Sequence, residues 1–264
     1  MPPQLAPILD HAGPFLMCLF RLSGLFVFAP VLGSPAIPMR VRGLMCIVFA
    51  VALYPTIPAE YQKPVEMDVM SLGWAVASET LIGVSIGLLA ALPMYAVQLG
   101  GLIIGHQIGI GLANVYNPAL DLEGDVVGQF LLFMAMAIFV SLGGLEVLFG
   151  ALAHTFASVP LGGLSPAEAP LELLLGLVSS GMAIGLRVAA PVLCIVLAET
   201  LASGVIMRTM PQLNIMTIGF AIKVIVAMIA LIGSIHAVAM LNREDTVMTL
   251  EAILDWARAA QGGG

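Results

Sequence analysis

The sequence predicts an all-α, polytopic helical membrane protein with about six long, kinked apolar helices. Three observations carry that reading. Hydrophobic residues make up 60% of the 264 positions and charged residues 9%, where a soluble domain carries about a quarter. The mean hydropathy is +1.08. Apolar runs long enough to cross a bilayer recur along the chain. The formal net charge of -7 argues against nucleic acid as a partner. Cys18, Cys46 and Cys194 each fall inside an apolar run, with neither a disulfide framework nor a metal spacing. No metal or cofactor is expected.

The first run extends from about Gly13 to Pro30 and is interrupted by Arg21. No positive segment precedes it, so it is expected to be retained rather than cleaved. A turn containing Pro35, Pro38, Arg40 and Arg42 leads to a second run, about Gly43 to Ile57, closed by Pro55 and Pro58. A loop with Glu60, Lys63, Glu66 and Asp68 follows. The third segment, about Ser71 to Ile104, carries Pro93 as the expected kink. The fourth runs from about Val126 to Leu142, and Gly143-Gly144 opens a loop with a short helix near Leu145 to Ala157. Val159 to Pro166 is the clearest break. The fifth, about Leu171 to Met207, and the sixth, about Leu213 to Leu241, form a hairpin that turns near Pro211, Gln212 and Asn214. The remainder reads as an amphipathic tail with Val247, Leu250, Leu254 and Ala257 on one face. Arg40, Arg42 and Arg208 place the first and fifth loops in the cytoplasm, so both termini are expected outside.

Five ionisable residues lie inside apolar runs: Arg21, Glu79, Arg187, Glu199 and Lys223. Each costs about 2.5–3.5 kcal/mol at the bilayer centre on insertion scales, so each should face protein or water. Counting from the hairpin turn puts Glu199 and Lys223 at similar depth. A buried charge pair between them would fix helix register; a proton or ion relay is the functional alternative.

The stretch Gly100–Asp125 stands apart. From Gly100 to Leu120 it holds no Asp, Glu, Lys or Arg. Gly101, Gly105 and Gly109 recur every four residues, a helix face open to close approach. Ile108, Ile110 and Leu112 then alternate with Gly109 and Gly111, which suits an extended or irregular segment. Asn117-Pro118 ends the run, and Asp121, Glu123 and Asp125 follow. The residues describe a helix dissolving into an apolar, uncharged loop. Such backbone survives at membrane depth only when buried in protein or lining a cavity. It is either a structural re-entrant turn or a functional element.

No catalytic motif has its required context. Gly83-Val-Ser-Ile-Gly87 matches the nucleophile-elbow pattern, but that motif needs a strand, a turn and a helix. Within a long apolar segment Gly83 and Gly87 read as a packing face, as do Gly181 and Gly185. His11, His106, His154 and His236 are too far apart for ligand spacing. The protein is not expected to be an enzyme.

Three groups of residues carry a resemblance. They are Phe20-Arg-Leu-Ser-Gly-Leu-Phe-Val-Phe-Ala-Pro30 with Pro38-Met-Arg-Val-Arg-Gly43; Gln107-Ile-Gly-Ile-Gly-Leu-Ala-Asn-Val-Tyr-Asn-Pro118 followed by Gln129-Phe-Leu; and Pro211-Gln-Leu-Asn-Ile-Met-Thr-Ile-Gly-Phe-Ala-Ile-Lys223. In this order, over about Phe15 to Leu241, they resemble the FliR/SctT family of type III secretion export-gate membrane proteins, in its flagellar branch. Two departures stand out. The family usually has Asp-Pro at Asn117-Pro118, and the acidic segment Asp121–Asp125 is not its common pattern.

The resemblance implies a component of a flagellar export gate. It would assemble with FliP and FliQ into a channel for unfolded flagellar subunits, with FlhB and FlhA nearby, in the bacterial inner membrane at the basal body and partly above the bilayer plane. It also implies a FliP-like part over about 13–170 and a FliQ-like hairpin over about 171–241, with the tail 242–264 beyond. The central loop 106–120 would be a plug: His106, Gln107, Ile108, Gly109, Ile110, Gly111, Leu112, Val115, Tyr116, Asn117 and Pro118. The physical reading agrees, since an uncharged, glycine-hinged loop blocks ions and moves aside at low cost. The alternatives are an injectisome counterpart of the same family and a small-molecule permease. A permease would place a midplane site on broken helices, usually within inverted repeats, and the two halves show no convincing repeat.

Overall fold

The structure is a computed structural model, and it describes residues 6–58, 61, 69–109, 126–162, 171–209 and 215–259. Seven helices and one 3-10 turn make up the described residues, with no strand among them. They are α1 (Ala6–Phe28), α2 (Met39–Leu53), α3 (Val69–Ile108), α4 (Val126–Ser141), α5 (Gly144–Ser158), α6 (Leu171–Thr209) and α7 (Ile215–Ala259), with the turn at Tyr54–Thr56.

Local chemistry sets several boundaries. Pro38 holds φ -56 immediately before α2. Gly143 separates α4 from α5 at φ +73, a conformation that a side chain resists. Pro93 and Pro191 lie inside α3 and α6 without ending them. Five helices are long and apolar enough to cross a membrane, or six if α4 and α5 together count as one span. Helix α3 has 40 residues and α7 has 45. At 1.5 Å per residue each measures roughly 60–70 Å along its axis, about twice the ~30 Å hydrocarbon core of a bilayer.

The chain divides into two units. Unit 1 comprises Met1–Leu92, Val140–Leu177 and Val247–Gly264; unit 2 comprises Pro93–Phe139 and Val178–Thr246. In unit 1 the buried residues include Met17, Leu22, Leu25 and Phe26 of α1, Ile82 and Ile86 of α3, Leu148, Leu152 and Phe156 of α5, and Ile253 and Ala257 of α7. Phe49 of α2 stacks on Phe149 of α5 at 4.4 Å, and Phe26 lies 6.1 Å from Phe49. In unit 2 the buried residues include Val97 and Ile104 of α3, Leu131, Ala135 and Phe139 of α4, Val188, Val192 and Val196 of α6, and Ala227, Leu231 and Val238 of α7. Asn242 Nδ2 donates to the Pro93 carbonyl at 3.5 Å.

The tail departs from the sequence expectation. No Pro or Gly stands between Leu241 and Arg258, so nothing stops α7, and the helix continues to Ala259. Its buried stripe is Thr246, Leu250, Ile253 and Ala257, whereas Val247 is exposed and Leu254 only partly covered. Leu250 and Ala257 of the expected face are thus buried, and Thr246, Thr249 and Ile253 join them inside in place of Val247 and Leu254.

Candidate functional site

The last turns of α3, in unit 2, carry the first of the predicted plug residues. His106 and Gln107 are exposed and Ile108 is buried. The Gly109 amide donates to the carbonyls of Gly105 at 3.2 Å and His106 at 3.1 Å. Gly109 stands at φ +89, the left-handed conformation in which a glycine closes a helix. The other predicted plug residues, Ile110, Gly111, Leu112, Val115, Tyr116, Asn117 and Pro118, lie outside the described residues, as do Pro211, Gln212 and Asn214 of the hairpin turn.

Just before this exit α3 meets two helices through small residues. A methyl on Gly101 would lie 2.5 Å from Gly128 Cα of α4. One on Gly100 would lie 2.8 Å from the Gly185 carbonyl oxygen and 2.7 Å from Val188 Cγ1 of α6. One on Gly185 would lie 2.9 Å from the Ala96 carbonyl oxygen, and Gly181 faces Ala96 more loosely, at 3.5 Å. Adjacent residues on a helix point about 100° apart, so Gly100 and Gly101 admit a separate neighbour each. Gly105 is buried one turn on. Real side chains do not approach this closely, so the crossings exist only because these positions are glycine.

In unit 1, α3 meets α1 by the same device. A Cβ on Gly83 would overlap the Arg21 backbone carbonyl, and one on Gly87 would lie 2.8 Å from the Leu25 carbonyl oxygen. The pairings 21 with 83 and 25 with 87 rise together, so the two helices run parallel here. This is the setting of Gly83-Val-Ser-Ile-Gly87, and the Ser85 hydroxyl sits in a packed helix without the strand and turn a nucleophile elbow requires.

The crossing carries a buried ion pair. Arg21 and Glu79 are both 0% exposed. Arg21 Nε donates to Glu79 Oε2 at 2.5 Å and Nη2 to Oε1 at 3.0 Å, a two-pronged contact. Arg21 Nη1 donates to Thr155 Oγ1 at 3.2 Å, and that hydroxyl donates onward to the Leu152 carbonyl at 2.7 Å. The Phe156 ring centroid lies 4.4 Å from the guanidinium carbon. Glu79 Oε1 also accepts from the Gly162 amide at 2.7 Å. Gly162 stands at φ +75, and a methyl there would meet Ala75 Cβ at 3.0 Å. One ion pair thus ties α1, α3, α5 and the segment after α5. Its charges, hydrogen bonds and cation–π contact satisfy each other away from water.

The pair expected between Glu199 and Lys223 is not formed in the chain by itself. Among the described residues no ion pair joins them. The Glu199 carboxylate instead accepts from Ser203 Oγ at 2.6 Å and Thr200 Oγ1 at 3.5 Å, on its own helix. Equal depth along two helices leaves the direction of each side chain around its axis undetermined, and a hydroxyl one turn away is nearer.

The family of bacterial export proteins, family 1, matches residues 12–246. The chain belongs to this export family. It is 27% identical to flagellar biosynthetic protein FliR of Bacillus subtilis over 249 residues, 93% of this chain and 95% of that one. Against FliR of Escherichia coli the identity is 30% over 213 residues, 79% of this chain and 78% of the other. The Yop proteins translocation protein T of Yersinia pestis is 28% identical over 241 residues, 89% of this chain and 90% of that protein. An export protein of this kind is a type III export component, and the family is one of export proteins rather than of enzymes. The family match covers both helix crossings, the exit of α3 and the Arg21–Glu79 pair.

Sequence reasoning singled out Gly83, Gly87, Gly101, Gly181 and Gly185 at the crossings but not Gly24, Gly100 or Gly128, and it missed this ion pair. The signal was present. Glu79 precedes Gly83 by one turn, and Arg21 precedes Gly24 by three residues. A charge one turn from a close-approach glycine shares its face.

Proposed function

We propose that this export-family chain is a gate component of the flagellar type III secretion apparatus, assembling with FliP and FliQ into the channel for unfolded flagellar subunits. FlhB and FlhA lie nearby, and the assembly stands in the bacterial inner membrane. The observation that carries this reading is the nearly full-length likeness to FliR, 93% of this chain against 95% of the Bacillus subtilis protein. Its apolar surface supports it. Met182, Leu186, Leu201 and Val205 of α6, and Ile225, Ile229 and Ile232 of α7, are exposed, and a contiguous apolar face of this kind needs lipid or a partner.

Residues 106–118 form the plug in this proposal. Gly109 follows the end of α3 within the uncharged stretch Gly100–Leu120, and Ile108 to Val115 carry no charge to hold a passing chain. Deleting 109–114 removes the proposed seal. The expected result is a complex that still co-purifies with FliP and FliQ while cells carrying it leak small ions. A deletion that assembles fully and stays ion-tight makes the loop structural. Purification without FliP or FliQ removes the assembly reading itself.

An injectisome role is the second reading, favoured by the 28% identity to the Yersinia pestis translocation protein T. Expression in strains lacking their own FliR or their own translocation protein T separates the two. Restored motility supports the flagellar reading, and restored injectisome secretion alone supports the other.

A further inference from the structure

In unit 1, helices α1 and α2 leave a groove of about 360 Å³ between them. Leu19 and Phe26 of α1 face Gly43, Cys46 and Ile47 of α2 across it, and Arg42 stands at its α2 N-terminal end. Gly43 keeps the groove open, since a methyl there would find nothing within 4 Å. The polar atoms along the walls are already engaged. The Ser23 hydroxyl donates to the Phe20 carbonyl at 2.8 Å, and the Cys46 thiol approaches the Leu19 carbonyl at 3.7 Å. The interior therefore suits an apolar chain.

The end of the groove is different. Arg42 Nη2 donates to the carbonyls of Ser34 at 2.8 Å and Gly33 at 3.2 Å, which positions the guanidinium without neutralising it. Its Nε is buried with no hydrogen-bond partner. Arg40 is exposed two residues away. The first turn of α2 has no acidic residue and no side-chain cap, and among the described residues neither arginine has an ion pair. Both sit at the edge of the Met39–Thr56 span, of which only 11% is buried. Where such a span crosses a bilayer, its edge stands at the level of lipid headgroups, and Leu44, Val48 and Val51 expose apolar surface further along α2.

We propose that this groove binds one molecule of an anionic phospholipid, its acyl chain between α1 and α2 and its phosphate on Arg42. A cation with no ion pair among the described residues, at the end of an uncharged groove, matches an anionic head on an apolar tail. Arginine recognises phosphate oxygens through paired N–H donors, and basic residues at a membrane edge select anionic lipid.

The test uses the full-length chain purified in mild detergent with the subunits that accompany it. It is stripped of lipid, then offered phosphatidylglycerol or phosphatidylethanolamine with identical acyl chains, and bound lipid is counted by native mass spectrometry. One retained phosphatidylglycerol is expected, preferred on the order of fivefold for one basic residue. Arg42→Gln should erase the preference, and Gly43→Phe should expel the lipid. Equal retention of the two lipids, or retention unchanged in Gly43→Phe, overturns the proposal. The unmodified chain provides a second measurement that needs no variant to fold. Phosphatidylglycerol bearing a photoactivatable acyl chain should label residues within 19–47. Labelling only elsewhere, or a segment of another protein crosslinked to the groove residues, overturns it as well.

Discussion

In unit 1, α1 and α3 approach through Gly24, Gly83 and Gly87 and are then tied by Arg21 and Glu79. In unit 2, α3 approaches α4 and α6 through Gly100, Gly101, Gly128 and Gly185, and among the described residues no ion pair spans either contact. Separating the first pair of helices strands two charges in an apolar interior. Shifting the second strands no charged pair among the described residues and loses van der Waals contact, which is spread over many weak pairs. A crossing locked by charge resists even a small displacement, whereas one made of glycine and alanine can slide while remaining packed. The end of α3, at Ile108 and Gly109, follows the second kind of crossing.

The sharpest way to break the contrast is Glu79→Ala. It leaves the Arg21 guanidinium buried and unpaired, and should destabilise the protein by about 3–5 kcal/mol. Thermal unfolding in detergent reads the loss. Arg21→Met with Glu79→Leu should recover most of it, because both charges go together. A double variant as unstable as Glu79→Ala would mean that the pair does not hold the crossing.

Next come the glycines. Gly101→Ala forces a methyl against the Gly128 backbone and should cost about 1–3 kcal/mol. Gly83→Ala, whose methyl would overlap the Arg21 carbonyl, should exceed it. If the charged crossing tolerates its alanine better than the uncharged one, sterics are not what both share.

Thr155→Val tests the ion pair's outer contacts. It keeps the side chain's shape and removes the acceptor of one Arg21 hydrogen bond, for an expected loss of about 1.5–3 kcal/mol. An unchanged melting temperature would confine the network to Arg21 and Glu79. Gly109→Ala places a side chain at φ +89 and should cost about 1–2 kcal/mol, read as faster proteolysis at the end of α3 with little change in global melting.

The smallest effect has the opposite sign. Gly176 lies in α6 with nothing within 4 Å of a methyl placed on it. Gly176→Ala should stabilise by up to about 1 kcal/mol through helix propensity alone. A destabilised Gly176→Ala would mean that open space in the chain by itself is filled in the assembly, and co-purification with and without partners would show it.

Much of this protein is legible from its sequence, because the governing information is local. Composition and hydropathy determine an all-helical membrane protein, since backbone groups in lipid must bond within their own helix. The runs near Val126, Leu145 and Leu171 begin within a residue or two of α4, α5 and α6. Ordered motifs spread over the chain suffice for the export family. The spacing of Gly101, Gly181 and Gly185 marks where backbones come close, because helical periodicity is a property of the chain itself. Tertiary structure decides what periodicity leaves open, namely the direction each buried group takes around its helix and the element it meets. Arg21 and Glu79 are 58 residues apart, and no local pattern links them. Only the parallel approach of α1 and α3 makes them partners. Among the described residues no ion pair joins Glu199 and Lys223, and the carboxylate accepts from Ser203, one turn away. The tail shows the same division. Its helical period is in the sequence, but burial of Thr246 and Thr249 comes from the packing of α7, which can cover a polar side chain that a hydrophobic pattern assigns to the surface.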